Sequence, residues 1–563
     1  MSFITVQLGN FSNYVGTHYW NFQDEYSTFD GGTGYSGEGS SGVDHDRTYF
    51  QSRSGAEYYP RAVVVDRVGA YGALNMQLET DGMTEEMRQL MWQGPVQTHE
   101  EPKVEKSEWT RWLQEQQAQQ AKAVEKRYMN PNAPLPEVEL IPPPVVKDES
   151  VRYWSDCANH NAFSINSTFE LLGHHHETPT FQSFWDGYNS DNKEQWDDIY
   201  NGIRLQLEEC DAFDSCQIIA DSFDGFSGLA ALTVKHLRDE CPKGGILVAA
   251  LDDGQGVVGN DKQSQQRHMC RQLNGAALLK SCVEYNVDVT MPFHVGDWTE
   301  MEVFDVRRSS MYETSAVIAS CLETLTGPYR GQGKTVAGLL SHLGSRGTLC
   351  GTRFALPMRT KEKQMHNSIE LAADLVGDSK GEGQSAMPKG FTELTGSRSF
   401  IDNNPIQVVA TRTSAKLDSL YGSVARVVQS ANIPLNATLP LPFPQKFREN
   451  PLGGFMERAD KNANQACDLP AVTKCGMATW AYSGYYCQEF KPLAEWKETA
   501  KCLRKNNAFT SSLYSHFGVE QDSLKDLCEV IRNIEISDDM ATESEDTGEH
   551  RGGRSGYANK YIG

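Results

Sequence analysis

Apolar positions along this chain fall into short unbroken runs that alternate with helical stripes, and the clearest such unit spans residues 216–251. An apolar run over 216–220 ends in Asp221 and Ser222, and a loop with Gly225 and Gly228 follows. Leu229, Leu232 and Leu237 then fall at helical spacing, and Gly244 and Gly245 lead into a second apolar run over 246–251. This order predicts a strand, a crossover helix and a parallel strand. The glycine loop of such a unit lies at the carboxyl edge of the sheet, where open α/β folds bind ligands.

The pattern recurs at the N-terminus. Residues 4–8 are strand-like and close on Gly9 and Asn10, after which Phe11, Val15, Tyr19, Phe22 and Tyr26 predict a helix with Asn10 or Ser12 as N-cap. A strand, glycine turn and helix of this kind can aim backbone N–H groups at a phosphate, although Gly9 serves a plain tight turn equally well. Residues 62–65 predict a third buried strand with Asp66 at its carboxyl end, an acid placed either to hold a metal-bound water or a ribose, or to cap the next turn. Ile199, Ile203 and Leu207 predict an amphipathic helix. Further helices are expected over 273–282, 310–325, 493–505 and 520–534, further strands over 287–293 and 407–411, and a polar loop over 252–270.

Composition changes the picture in three places. Residues 30–46 are rich in Gly and Ser and read as a loop. Residues 101–128 are charged and Gln-rich, with Trp109, Trp112 and Leu113 as apolar exceptions, and run into a Pro-rich stretch over 130–146. This reads as a polar helix and extended insertion pinned at its start by the tryptophans, or else as a partner-binding arm. From Ser537 onward the chain is acidic and nearly free of apolar residues, and reads as a disordered tail.

Charge and cysteine usage exclude several classes. A formal charge of −23 opposes binding to nucleic acid. Thirteen cysteines without a C-x-x-C pair fit a reducing compartment better than a disulfide framework or zinc ribbon. The N-terminal residues lack a leader pattern and no run of about 18 apolar residues occurs, so a cytosolic chain with peripheral membrane contact is expected. His174, His175, His176 and Glu177 precede Thr178 and Pro179, which bar an HExxH helix and leave an exposed turn. Gly333, Lys334 and Thr335 suggest a P-loop, but Pro328 stands where the cradle needs glycine. The absence of a G-x-G-x-x-G after any strand argues against a dinucleotide oxidoreductase.

Three stretches together resemble the tubulins. The segment VQLGNFSNYVGTHYWN, with Gln7, Gly9, Asn13, Gly16 and Trp20, is similar to the first strand, nucleotide turn and helix of that fold. YYPRAVVVD resembles the strand that follows, and DSFDGFSGLAAL stands in the place of the glycine-rich phosphate loop. With the Pro-rich insertion before VRYWSD and the block EECDAFDSCQIIADSFDGFSG, the chain resembles the Misato family of tubulin-like proteins, closely over 1 to about 250 and loosely beyond.

That resemblance implies a tubulin/FtsZ-like α/β fold: a mostly parallel, Rossmann-like sheet domain, then a second α/β domain and C-terminal helices. The expected division is 1–100 with 150–330 as a nucleotide-binding-type domain, 101–149 as the insertion, 331–450 as the second α/β domain, 451–536 as a helical region and 537–563 as the tail. It further implies a part in mitochondrial distribution, morphology and inheritance of the mitochondrial genome. The implied setting is the cytoplasm and, peripherally, the mitochondrial outer surface, with spindle microtubules or tubulin and the cytosolic chaperonin as partners. GTP or GDP is the candidate cofactor, with Gly9, Asn10, Asn13, Asp66, Gly225, Ser227 and Gly228 around it; no catalytic residue or metal ligand is assigned.

The chain also departs from the tubulin pattern. Phe226 stands where a glycine would let a phosphate approach, and Asp224 adds a like charge that costs on the order of 1 kcal/mol or more beside a triphosphate. Phe11 and Ser12 replace Cys and Gly of the first turn, Val68 replaces the magnesium-holding acid, and no Asn and Asp activating loop is found. A non-hydrolysing adaptor or assembly factor is therefore the first reading, and an active, polymerising GTPase the alternative.

Overall fold

The computed structural model describes residues 1–29, 44–51, 58–74, 104–129, 142–159, 167–174, 181–188, 193–255, 261–298, 306–331, 333–346, 348–355, 392–395, 406–412, 428–433, 437–444, 457–458, 473–475 and 477–483. Its first sheet is built from β1 (Ser2–Leu8), β4 (Ala62–Val68), β5 (Thr168–His174), β6 (Phe213–Asp221), β7 (Gly245–Asp252) and β8 (Val289–His294). A small hairpin of β2 (Tyr49–Gln51) and β3 (Tyr58–Pro60) precedes β4. The spatial order is β5-β4-β1-β6-β7-β8, and all neighbours pair in parallel. The strand order therefore reverses between β1 and β6, and the crevice at their carboxyl ends is the ligand position of a doubly wound sheet.

Helices cover both faces, as a parallel sheet requires. One face carries α1 (Asn10–Phe29), α7 (Met311–Thr326) and α8 (Val336–Leu343), packed on Phe3, Ile219, Leu247 and Met291. The other carries α3 (Phe184–Tyr188), α4 (Lys193–Glu208), α5 (Phe226–Glu240) and α6 (Lys262–Glu284), packed on Ile4, Val6, Ile218 and Val248. Alternate residues of β1 thus point to opposite cores.

Helix α7 begins at Ser310, whose Oγ accepts from the Glu313 N–H at 3.1 Å, and is buried from Tyr312 to Thr326. A helix buried all round belongs at the centre of a domain. On its far side lies a second sheet of β9 (Gly351–Ala355), β10 (Thr392–Glu393), β11 (Ile406–Arg412), β12 (Val428–Ile433) and β16 (Met477–Ser483), in the order β10-β9-β16-β11-β12. A third, small sheet joins β13 (Ala437–Leu439), β14 (Glu457–Arg458) and β15 (Thr473–Cys475). Glu323 of α7 bonds Arg330 at 3.0 Å and Arg412 of β11 at 2.9 Å, all three buried, so an ionic contact ties the central helix to the second sheet.

Four expectations change. Met477–Ser483, expected within a helical region, is the strand between β9 and β11; a fully buried run of Ala, Trp and Tyr suits a sheet interior. Helix α8, assigned to the second domain, packs on the first sheet, where a Cβ on Gly245 would stand 3.0 Å from the Ala337 Cα. Helix α6 starts at Lys262, inside the expected polar loop, because the Asp261 carboxylate accepts from the Ser264 N–H at 3.3 Å and caps the first turn. Asp46, expected in the glycine-rich loop, lies in a short 3-10 turn over His45–Arg47. The expected helices over 493–505 and 520–534 and the acidic tail lie outside the described residues.

The insertion helix α2 (Glu108–Met129) is pinned as its tryptophans imply. Trp109 is buried, donates from Nε1 to the Ala158 carbonyl at 3.0 Å, and packs 5.0 Å from Trp112. Among the described residues, no helix is long and apolar enough to cross a membrane.

Candidate functional site

The parallel pairing of Leu8 with Ala220 sets Asp221, the last residue of β6, beside the turn after β1. Gly9 makes that turn with φ +109°, a left-handed conformation that favours glycine, and a Cβ there would overlap the Asp221 carboxylate. Helix α1 then starts with its first amides aimed at the crevice. Asp221 takes them: Oδ2 accepts from the Phe11 N–H at 3.0 Å and Oδ1 from the Ser12 N–H at 2.7 Å. The carboxylate, 1% exposed, thus stands where the positive end of the helix would hold an anion.

The second helix end is also met by a carboxylate, here a local one on a single amide. The Asp224 carboxylate accepts from the Phe226 N–H at 2.9 Å at the start of α5. Phe226 is already helical and buried, edge-on to Phe181 with ring centroids 5.0 Å apart. The expected loop over 223–228 is therefore only four residues, 222–225, with Phe226, Ser227 and Gly228 in the first turn of the helix. The Ser227 hydroxyl turns back to the Asp224 carbonyl. Gly225 and Gly228 make room for protein: a Cβ on Gly225 would strike the Phe181 ring, and one on Gly228 would overlap the Phe184 carbonyl of α3. Gly225 and Gly228 thus face α3 and its flanking residue Phe181, and the Ser227 hydroxyl is engaged by the chain itself.

The other predicted residues gather around the same edge. Asn13 donates from Nδ2 to Asp66 Oδ2 at 2.9 Å and to the Val65 carbonyl at 3.2 Å. Asp66 also accepts from Trp154 Nε1–H at 3.2 Å and from the Arg67 N–H at 2.8 Å, so both its oxygens are engaged by the chain. Asn10 lies apart from these, its Nδ2 set 3.6 Å from the Met311 sulfur at the start of α7.

Residues that sequence reasoning missed fix this edge. Asn274 of α6 donates to the carbonyls of Gln182 and Phe223 and accepts from the Phe184 N–H at 2.7 Å. Arg271 lies 4.2 Å over the Phe223 ring and bonds Asp252 at 3.0 Å and Asp253 at 2.6 Å. Asp252 in turn faces His294. For Asp252 and Asp253 the sequence signal was position, since a polar residue at the carboxyl end of a buried strand in a doubly wound sheet reaches this crevice, whereas Arg271 and Asn274 lie within α6 and carried no such signal.

Burial raises the Asp66 carboxyl to about 7 against the hydrogen bonds that favour its ionised form. Asp224 rises to about 7, again chiefly through burial. Asp221 is pushed well above the usual carboxylate range by burial and then by the neighbouring Asp224. Burial also works on Asp252, but Arg271 and His294 outweigh it and hold that carboxyl below its ordinary value. Among the described residues, no group of three or more His, Cys, Asp or Glu side chains could hold a metal ion.

Comparison with known proteins is consistent with this geometry. The Misato Segment II tubulin-like domain matches residues 1–115, and the Tubulin domain matches residues 143–330. The chain belongs to the Misato family of tubulin-like proteins. Protein dml1 of Aspergillus clavatus is 29% identical over 342 residues, 58% of this chain and 60% of that protein. Protein dml-1 of Neurospora crassa is 24% identical over 507 residues, 79% and 86% of the two chains. Protein misato homolog 1 of Homo sapiens is 26% identical over 371 residues, 62% and 63%. The match to the Aspergillus and human relatives spans less than two thirds of their length.

A tubulin-like fold raises guanine nucleotide as a ligand, and the Misato-family crevice gives a direct fit test. Two helix N-termini converge on the β1/β6 switch point, and both are taken by carboxylates of the chain itself. A triphosphate would have to displace Asp221 from α1 and lie beside Asp66 and Asp224. The described residues do not fit that ligand.

Proposed function

We propose that this Misato-family chain is a non-hydrolysing adaptor or assembly factor in mitochondrial distribution, morphology and inheritance of the mitochondrial genome. It works from the cytoplasm and peripherally on the mitochondrial outer surface, with tubulin or microtubules and the cytosolic chaperonin as its protein partners. One observation carries the non-hydrolysing part: the Asp221 carboxylate on the Phe11 and Ser12 amides. An enzyme that turns over GTP needs those donors for the phosphates. The mitochondrial part rests on family membership.

The test is the nucleotide content of the purified full chain, read at 260 nm in the acid-released supernatant. Less than about a tenth of an equivalent is expected, since tight binding needs donors that are here engaged. Stoichiometric GTP or GDP overturns the reading in favour of a polymerising GTPase. Proximity labelling in living cells tests the setting: enrichment of mitochondrial surface proteins and of tubulin or chaperonin subunits is expected, and labelling confined to another compartment refutes it.

A further inference from the structure

The crevice at the β1/β6 switch point has kept everything that makes an anion site except the vacancy. Gly9 is still left-handed at the turn, Phe11 and Ser12 still aim their N–H groups at one point, and α1 still adds its positive end. What stands at that point is a carboxylate delivered from a strand 210 positions away in sequence. At α5 a local carboxylate, Asp224, takes one amide, the Phe226 N–H. Asp221 is buried and its two oxygens each accept one of the two amides, a bidentate arrangement like that of a bound oxyanion.

We propose that Asp221 is a built-in replacement for phosphate, so that the carboxyl edge of this tubulin-like sheet is completed without a nucleotide, and that removing the carboxylate exposes a site for inorganic phosphate. The proposal rests on the non-hydrolysing reading above and gives it a mechanism. In a nucleotide-dependent fold the donors at the first turn are left to water until ligand binds. Here they are satisfied as soon as β6 pairs with β1, because the register that joins Leu8 to Ala220 also delivers Asp221. The cost is that two buried carboxylates, Asp66 and Asp221, share one neighbourhood with the half-buried Asp224, and that Asp224 and Asp66 both add negative charge to the surroundings of Asp221. Arg271 offsets Asp224 from the side of α6, with Asp252 and Asp253 as its direct partners.

The experiment compares melting temperatures of the full-length wild type, Asp221→Ala/Asp224→Asn and Asp214→Ala in sodium phosphate and in sodium chloride of equal ionic strength. The second substitution of the pair removes a neighbouring negative charge while the asparagine oxygen still accepts from the Phe226 N–H. Asp214→Ala takes a two-amide carboxylate cap from α8 instead. At a phosphate concentration about tenfold above its dissociation constant, the double variant should gain about 3 °C over chloride, while wild type and Asp214→Ala gain less than about 1 °C. Equal gains in wild type and double variant, or no gain in the double variant beyond chloride, overturn the proposal. If the alanine variant does not accumulate as soluble protein, Asp221→Ser/Asp224→Asn, which also removes the carboxylate from the two amides, carries the same titration with the same two readings. Guanine nucleotide on wild type would refute the functional reading; a nucleotide-free wild type with a phosphate-insensitive variant refutes only this inference.

Discussion

The two ends of strand β6 solve one problem in the same way and with different consequences. At its amino end, Asp214 accepts from the Val336 N–H at 2.9 Å and the Ala337 N–H at 3.4 Å, and so caps α8. At its carboxyl end, Asp221 accepts from Phe11 and Ser12 and caps α1. In each case a strand carboxylate satisfies helix donors that would otherwise be buried without partners. The amino edge of a doubly wound sheet is not where ligands bind, so Asp214 is a structural cap. The carboxyl edge at the switch point is where they do, so an identical cap there also excludes a ligand. A helix N-terminus in a known binding position is thus no evidence for binding until the group on its amides has been identified.

The sharpest way to break this comparison is to ask whether the carboxyl edge is filled or open. Gly228 of α5 lies directly under the Phe184 carbonyl of α3. Gly228→Glu should cost more than about 4 kcal/mol and abolish soluble expression, since neither backbone can retreat without unpacking both helices. A soluble variant with the wild-type melting temperature would show that the turn has room. The next largest effect is at the other end of the strand. Asp214→Ala should cost about 1 kcal/mol, seen as a drop of about 3 °C in melting temperature, because Thr335 still accepts from the Gly338 N–H and retains part of the cap. No change in melting temperature would show that water replaces the carboxylate there.

Much of the fold was legible because a parallel strand buried on both faces leaves a contiguous apolar run, as in residues 246–251, and a covering helix leaves a stripe such as Ile199, Ile203 and Leu207. Trp109 and Trp112 stood out in a polar helix because indole rings need burial. The site was less legible. Gly9, Asn13, Asp66 and the glycines of the β6 turn were found from local pattern, but what each one touches was not. Asp221 meets α1 across 210 positions, and spacing carries no signal for a contact set by strand register. Gly228 reads as phosphate-loop glycine until α3, a five-residue helix in an otherwise polar stretch, is found against it. Helix α6 was shortened at its start because Gln265, Gln266 and Arg267 mask the periodicity, although Asp261 is a recognisable N-cap.

The smallest effect is read at the carboxyl edge, in its response to pH. Asp224, beside Asp221 at the carboxyl edge, has its carboxyl raised to about 7 chiefly by burial, well above the usual range near 4. A group whose folded value lies above its unfolded value binds protons more tightly in the folded state. The stability it contributes is therefore complete below about pH 4 and is lost as pH rises through about 7. Wild type should accordingly melt higher at pH 6 than at pH 8. Asp224→Asn removes this titration while keeping an oxygen for the Phe226 N–H, so it should melt about 2 °C above wild type at pH 8 and show a shallower dependence between pH 6 and 8. Parallel pH profiles for the two proteins would mean that the Asp224 carboxylate is solvated in the folded chain, and the carboxyl edge would then be the open crevice that its packing contradicts.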